Sequence, residues 1–190
     1  MGAVVLVPVK AFGRAKERLA PRLSPAERSA LARHMATIVV RAAAPLPVWV
    51  VCDDDEVATW ARSVGADVSW QPGSGLNGAV QAAVAAAAAA GYDRAVVAHG
   101  DLPRATTLAW LAEEPLVAAA DTVVLVPDRR GDGTNVASVP TGAGFEFAYG
   151  PGSCARHMAE AERRSLPLVV RRHDALQYDI DDPADLAYLD

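Results

Sequence analysis

Three acidic residues occupy positions where a metal-dependent site would need them. Asp101 follows the short apolar run 94–98, which predicts a buried strand, and Pro103 prevents further pairing. Asp179 and Asp181 alternate along a second extended stretch, so their carboxylates are expected on the same side and could share one cation. Ligands of open α/β sheets bind beyond the carboxyl ends of the strands, and a carboxylate that faces phosphates there suits Mg²⁺.

Acidic residues in this chain also have structural interpretations. Asp101 could instead cap a helix predicted to begin near Thr106, and its local sequence leaves both interpretations open. Asp182, which precedes Pro183, is predicted to cap the last short helix. The four acids at 53–56 are predicted to lie at a helix N-terminus, where the helix dipole attracts acids, rather than to bind a metal.

A cluster of cations follows the first predicted strand. Lys10, Arg14, Lys16 and Arg18 lie in a turn-rich loop, and such flexible cations suit a triphosphate and its pyrophosphate leaving group. Residues 10–33 carry a net charge of +5, whereas the remainder of the chain carries −10. This distribution indicates a local polyanion site, with a solvated basic helix face as the alternative. The overall charge of −5 does not favour a nucleic-acid partner.

Glycine-rich loops supply further candidate ligand contacts. Leu76 and Asn77 lie in loop 73–78, before an alanine-rich helix whose first N–H groups would favour an anion or a base edge. Loops 131–135 and 150–153 combine glycines, which permit close backbone approach, with hydroxyl donors. Together they suggest a pocket for a second small anionic substrate, although each loop alone is more typical of a hairpin turn.

The histidines offer fewer candidates. His99, two residues before Asp101, is the only one with a plausible role in the site. His34, His157 and His173 have no partner at nucleophile or zinc spacing, so we interpret them as structural or surface residues.

Alternating strands and helices must position these loops. Strands are predicted at 3–9, 48–52, 67–70, 94–98, 122–127, 136–139, 145–147 and 168–170, with 136–139 at an edge. Helices are predicted to end near residues 43, 64, 90, 119 and 163, and a capping box at Ser24–Glu27 opens the first. This order, with an antiparallel excursion in the second half, predicts a three-layer α/β fold with a mostly parallel sheet, in one domain over 1–190.

The composition is that of a globular protein, with 52% hydrophobic and 22% charged residues. No apolar run reaches the length of a membrane span, and no secretory leader is recognisable at the start. Cys52 and Cys154 belong to no ligand-spaced cluster and fit a reducing compartment, so we expect a cytoplasmic location without a membrane partner. The sequence carries no signal of oligomeric state.

Seven motifs, taken in order, resemble the 2-phospho-L-lactate/phosphoenolpyruvate guanylyltransferases of coenzyme F-420 biosynthesis. The motifs are PVK at 8–10, AKERL at 15–19, GLN at 75–77, GDLP at 100–103, GDGTN at 131–135, YGPGS at 149–153 and DIDDPADL at 179–186. The resemblance implies a Rossmann-like, GT-A-like nucleotidyltransferase fold. It also implies that the phosphate of phosphoenolpyruvate or 2-phospho-L-lactate attacks the α-phosphorus of GTP and expels pyrophosphate.

Residue roles follow from the resemblance by position. Thr134, Gly150 and Ser153 match acceptor-binding positions, while Asp101, Asp179 and Asp181 match the carboxylates that bind Mg²⁺, which decides the role of Asp101. We expect Asp101 and Lys16 to be catalytic. The nucleotide is expected to contact Lys10, Arg14, Lys16, Arg18, Leu76 and Asn77.

Two alternatives stay open at this point. One is a related nucleotidyltransferase that uses a sugar phosphate or phosphoglycerate, although the first loop lacks the LxxGxxxR signature of the sugar and molybdopterin enzymes. The other is a nucleotide-binding domain without catalysis, against which three separated acids and a basic loop argue.

Overall fold

A computed structural model of the chain describes residues 2–113 and 119–189. Its strands are β1 (Ala3–Pro8), β2 (Val48–Cys52), β3 (Asp67–Trp70), β4 (Arg94–Ala98), β5 (Val123–Pro127), β6 (Thr134–Pro140) and β7 (Leu168–Val170). Its α-helices are α1 (Pro25–Ala42), α2 (Asp55–Ser63), α3 (Gly75–Ala89) and α4 (Ser153–Arg163). Short 3-10 turns lie at Phe12–Arg14, Glu17–Leu19, Ala109–Ala112, Thr141–Ala143 and Pro183–Tyr188.

In this described part, the strands form one seven-stranded sheet in the order β3-β2-β1-β4-β6-β5-β7. β6 is antiparallel to β4 and β5, and the other pairs are parallel. Alternate residues of β1 face opposite layers: Val5 packs with α1 and α2, whereas Leu6 packs with α3 and α4. The expected three-layer α/β fold with a mostly parallel sheet is therefore confirmed.

The helix caps predicted from the sequence are confirmed. The Glu27 N–H donates to Ser24 Oγ at 3.3 Å and the Ser24 N–H donates to Glu27 Oε2 at 2.8 Å, which closes the predicted capping box. Among the acids at 53–56, Asp54 caps α2 by accepting from the Val57 N–H at 3.0 Å. Asp182 is the N-cap of the last 3-10 turn, as predicted.

The prediction that 136–139 is an edge strand was wrong. β6 lies between β4 and β5, and all seven of its residues are buried, while β3 and β7 form the edges. A strand of small and apolar residues suits this interior position because helices cover both faces of the sheet there. Local sequence does not specify which strands flank it.

The predicted strand at 145–147 was also wrong, although the segment is extended and firmly held. Side chains accept its consecutive main-chain N–H groups, so it needs no neighbouring strand. The acceptors are Glu160 for residue 146 at 3.1 Å, Gln81 for 147 at 3.2 Å, His157 for 148 at 2.9 Å and Asn77 for 149 at 2.7 Å.

The helix predicted from 106 to 119 is replaced by the four-residue 3-10 turn Ala109–Ala112, and residues 114–118 of that prediction lie outside the described residues. Long-range hydrogen bonds hold the turn: the Leu108 N–H donates to the Ala42 carbonyl at 2.8 Å and Ser138 Oγ donates to the Leu111 carbonyl at 2.7 Å. No helix starts near 106, so the interpretation of Asp101 as its cap was wrong.

Because β6 is antiparallel to β4, the loop after β4 and the loop before β6 lie at the same end of the strands. Ala98, at the carboxyl end of β4, pairs with Val136 near the amino end of β6, and the His99 N–H donates to the Asn135 carbonyl at 3.0 Å. Thr134 therefore begins its strand beside the point where the chain leaves β4 for Asp101. No helix among the described residues is long and apolar enough to cross a lipid bilayer.

Candidate active site

A cleft of about 640 Å³ opens at the carboxyl ends of β1, β2 and β4. That volume lies in the range of about 300–1,000 Å³ typical of small-molecule sites. Seven of the predicted site residues line it, namely Lys10, Arg14, Lys16, Arg18, Leu76, Asp101 and Asp181. Asp53 and Gln71, at the ends of β2 and β3, and His99 also line the cleft.

Lys16 joins two of the predicted metal carboxylates. Its Nζ atom lies 2.5 Å from Asp101 Oδ2 and 3.1 Å from Asp181 Oδ1. The residue adopts the left-handed conformation, with φ of 55°, where the chain turns from the first 3-10 turn into the second. This unusual backbone conformation for a residue with a side chain directs the ammonium to the floor of the cleft.

The electrostatics of this pair favour charged forms. Burial alone would lower the pKa of Lys16, but the carboxylates of Asp101 and Asp181 outweigh it and hold that pKa above its ordinary value. Burial opposes ionisation of Asp101, yet the Lys16 ammonium lowers the pKa of this carboxyl below its ordinary value. Asp101 Oδ1 is buried without a hydrogen-bond partner among the described residues.

The charges of Asp101 and Asp181 both act on the carboxyl group of Asp179. Burial, followed by the charge of Asp101, raises the pKa of Asp179, and Asp181 adds to the effect. Asn135 Nδ2 donates to Asp179 Oδ1 at 3.4 Å and fixes the carboxylate against β6. Residues 178–181 do not form the expected strand. The effect of Asp101 and Asp181 on the pKa of Asp179 nonetheless indicates that the three acids lie near one another.

This arrangement can be tested for its fit to Mg²⁺. Two carboxylates, those of Asp101 and Asp181, contact Lys16, and the charges of both act on Asp179. The unpaired Asp101 Oδ1 is a hard oxygen ligand of the kind that Mg²⁺ prefers. In residues 2–113 and 119–189, however, no three His, Cys, Asp or Glu side chains stand at metal-binding geometry. Lys16 Nζ occupies the place between Asp101 and Asp181, so a metal would have to displace it. The donor chemistry fits Mg²⁺ on that condition.

Asp185, to which the sequence analysis assigned no role, holds residues 179–182, here called the acidic loop. Asp185 is 3% exposed, and its Oδ2 accepts the N–H groups of Asp181 at 3.1 Å and Asp182 at 2.8 Å. Arg129 Nη2 contacts its Oδ1 at 2.5 Å. The acid three residues after the predicted cap was the available signal for this capping box.

The three predicted acceptor-binding residues do converge. The Thr134 N–H donates to Ser153 Oγ at 3.0 Å, and the Ser153 N–H donates to the Gly150 carbonyl at 3.0 Å. Asp132 fastens the two glycine loops together by accepting from the Gly152 N–H at 2.9 Å. This group does not line the cleft described above; Asn135 connects it to Asp179.

The Asn77 side chain binds the main chain of Tyr149, and its predicted contact with the nucleotide stays a prediction. Its Oδ1 accepts the Tyr149 N–H at 2.7 Å and its Nδ2 donates to the Tyr149 carbonyl at 3.4 Å, so both amide groups hold the main chain before Gly150. Leu76, beside it, is 43% exposed in the cleft. Its contact with the nucleotide stays a prediction.

His99, which lines the cleft with Asp101, is in ring contact with Tyr149, which precedes Gly150. Their ring centroids are 4.9 Å apart, and His99 Nε2 and the Tyr149 hydroxyl are buried with no partner among the described residues. Burial raises the pKa of Tyr149, so its hydroxyl stays protonated. The sequence analysis named His99 as a candidate site residue but did not name Tyr149.

Two solved structures have the same fold as this chain. A protein of Desulfovibrio desulfuricans G20 described as a nucleotide-diphospho-sugar transferase superposes with a TM-score of 0.80 at 18% identity, over 100% of this chain and 87% of its own. A 4-diphosphocytidyl-2C-methyl-D-erythritol synthase gives 0.65 at 15% identity, over 99% of this chain and 96% of its own. At these identities the similarity establishes the nucleotidyltransferase fold.

The sequence itself decides the family. The family model described as "Guanylyl transferase CofC like" matches residues 3–189. The chain belongs to the CofC-like guanylyltransferases. Among members of this CofC-like family, the phosphoenolpyruvate guanylyltransferase of Sphaerobacter thermophilus is 38% identical, over 100% of this chain and 93% of its own. The 3-phospho-D-glycerate guanylyltransferase of Phenylobacterium zucineum is 35% identical, over 96% of this chain and 87% of its own.

Proposed function

We propose that this CofC-like protein transfers the guanylyl group of GTP to the phosphate of phosphoenolpyruvate and releases pyrophosphate. The observation that carries the proposal is the contact of Lys16 with Asp101 and Asp181 in a cleft that the basic loop lines. The Thr134–Gly150–Ser153 group lies outside that cleft and is linked to Asp179 through Asn135. Relatives named phosphoenolpyruvate guanylyltransferases, at 38% and 33% identity over the whole chain, support this acceptor. The product, a guanosine diphosphate linked to a three-carbon acid, would serve cytoplasmic coenzyme F-420 biosynthesis.

The acceptor site is proposed to use three hydrogen-bond donors. Thr134 Oγ1 and Ser153 Oγ each lie against a nitrogen of the protein, at 3.0 Å in both cases. If each hydroxyl accepts there, its own proton is available to an anion. The N–H groups of residues 146–149 all donate to side chains. The N–H group of Gly150, which comes next, has no hydrogen-bond acceptor among the described residues. Two hydroxyls and one main-chain N–H suit a carboxylate or phosphate.

The chemical step needs positioning and charge neutralisation more than proton transfer. An oxygen of the acceptor phosphate, already ionised at neutral pH, forms a bond to the α-phosphorus of GTP. The bond from the α-phosphorus to the bridging oxygen breaks, and pyrophosphate leaves with its electron pair. Lys16 would offset charge on the reacting phosphates, and Lys10, Arg14 and Arg18 would hold the triphosphate in the cleft.

Asp101, Asp179 and Asp181 would hold Mg²⁺, which supplies charge neutralisation at the transferred phosphoryl group when bound. The unpaired Asp101 Oδ1 supports this assignment. Because Lys16 contacts two of these acids, we expect its ammonium to move towards the nucleotide phosphates when the metal binds.

Pyrophosphate release tests the proposal directly. Wild-type protein would be incubated with GTP and Mg²⁺ and with phosphoenolpyruvate, 2-phospho-L-lactate or 3-phospho-D-glycerate in turn, and with ATP and phosphoenolpyruvate as a nucleotide control. We expect the highest kcat/KM with GTP and phosphoenolpyruvate and no release without an acceptor. Faster turnover with 3-phospho-D-glycerate would reassign the acceptor, and no release with any of the three would refute the function.

A further inference from the structure

The side chain of His157 lies on α4 and has no exposed surface. Three aromatic rings surround it, those of Phe145, Phe147 and Tyr149, with centroids 5.8, 6.0 and 4.9 Å away. A polar side chain enclosed in this way is destabilising unless both ring nitrogens have partners. Both do, and the partners determine the protonation state of the ring.

A main-chain N–H can only donate, so the Ala148 N–H, 2.9 Å from His157 Nε2, requires that nitrogen to accept. In the neutral ring, the proton then resides on Nδ1, which lies 3.0 Å from Thr134 Oγ1. His157 Nδ1 is therefore the donor and Thr134 Oγ1 the acceptor. The hydroxyl proton of Thr134 must point away from the ring.

The neutral ring agrees with the surrounding charges. Burial lowers the pKa of His157 to about 4, and the charges of Arg156 and His99 contribute, while Glu160 acts in the opposite direction. At neutral pH the ring carries one proton, as the two hydrogen bonds require.

We propose that His157 is a positioning residue for the acceptor site, which orients the Thr134 hydroxyl and fixes the main chain that presents the Gly150 N–H. This inference rests on the proposed function, because it assumes that Thr134, Gly150 and Ser153 bind the acceptor anion. His157 lies one helical turn after Ser153. The helix α4 therefore carries both Ser153 and the residue that would align Thr134 and Gly150.

Two substitutions separate the hydrogen bonds of the ring. In His157→Gln, the side-chain oxygen can replace Nε2 as acceptor for Ala148, but the donor to Thr134 is lost. His157→Phe removes both bonds and leaves the Ala148 N–H without an acceptor. Met158→Gln, at the neighbouring 40% exposed position of α4, is the matched control.

For His157→Gln we expect the KM for phosphoenolpyruvate to rise about tenfold, the effect of one hydrogen bond to a charged ligand, while the KM for GTP stays unchanged. His157→Phe should raise the acceptor KM further, and Met158→Gln should change neither constant. A merely structural role would instead lower kcat through loss of folded enzyme and leave the acceptor KM at the wild-type value. A folded His157→Gln protein with that wild-type acceptor KM would overturn the proposal.

The ¹⁵N chemical shifts of the His157 ring in the wild-type protein give a readout independent of activity. They should show protonated Nδ1 and unprotonated Nε2 at pH 7, and the opposite tautomer would also overturn the proposal. Failure of the wild-type protein to release pyrophosphate with any acceptor would refute the proposed function instead. The tautomer measurement therefore separates the two failures.

Discussion

Replacement of Lys16 by methionine tests the electrostatic arrangement of the cleft floor. The substitution keeps most of the side-chain volume and removes the ammonium that contacts Asp101 and Asp181. Asp101 then stays in its site with no cation beside it, close to two other carboxylates. We expect Lys16→Met to destabilise the protein, since a charge left in a poorly solvated site loses its compensation.

The magnitude follows from the exposure of the groups. Removing one partner of a fully buried ion pair destabilises a protein by about 3–5 kcal/mol. The Asp101 and Asp181 side chains retain 23% and 49% of their exposure, so solvent screens part of the effect. A loss of about 2 kcal/mol remains, which corresponds to a decrease of about 4–8 °C in Tm for a chain of this size.

Thermal and urea unfolding at pH 7, without divalent ions, measure this effect. Lys10→Met is the matched control because Lys10 is exposed in the same loop, and its change should stay within about 0.5 kcal/mol. Mg²⁺ should raise the Tm of Lys16→Met more than that of the wild type, because a cation can then enter between the two carboxylates. A Lys16→Met protein that unfolds together with the wild type would refute the reasoning.

Three further predictions concern the residues that hold the acceptor site and the acidic loop. Burial keeps the folded-state pKa of His157 at about 4, so stability should fall as pH decreases from about 6.5 towards 4, by up to about 3 kcal/mol; urea unfolding across this range should show the loss, and His157→Gln should reduce it. Gly150→Ala should raise the acceptor KM through backbone strain, because φ at this residue is 119°, whereas the added Cβ meets its nearest atom at an ordinary 3.7 Å; an unchanged KM would be inconsistent with this account. Asp185→Asn should destabilise the protein by about 2 kcal/mol in urea unfolding, since one oxygen cannot replace both carboxylate acceptors, and equal stability would contradict the assigned cap.

The sequence contains enough information for much of the fold because many of its signals are local. The apolar runs at β1, β2 and β4 and the capping box at Ser24 depend on neighbours within a few positions, and the structure has them as predicted. The interior position of β6 depends instead on pairing with β4, whose Ala98 pairs with Val136 far along the chain. Period and propensity do not encode such pairing.

The same distinction applies to the candidate site. Asp101, Asp179 and Asp181 could be proposed from loop position and motif order, and the structure brings them near one another. The contact of Lys16 with two of them depends on its left-handed backbone conformation, which the residues around Lys16 do not predict. His157 was read as structural or surface, although Ser153 four residues earlier gave a signal that the two share a helix face.

The extended segment 145–149 illustrates a further reason for the failures. Its alternating aromatic residues are typical of a strand, yet side chains of α3 and α4 accept its N–H groups in place of a strand partner. Nothing within the segment indicates these acceptors, two of which lie 66 and 72 residues earlier in the chain, on α3. In the proposed acceptor site, this arrangement would fix the main chain that leads to the Gly150 N–H.

The central claim is that three carboxylates far apart in the chain bind one divalent ion together with both phosphorylated substrates. Electron paramagnetic resonance of Mn²⁺ binding, in the presence of GTP and phosphoenolpyruvate, measures this most directly. The account predicts a tight Mn²⁺ site in the wild type whose affinity falls at least about tenfold in Asp101→Asn, Asp179→Asn and Asp181→Asn alike. Unchanged Mn²⁺ affinity in any of these three folded variants would contradict it.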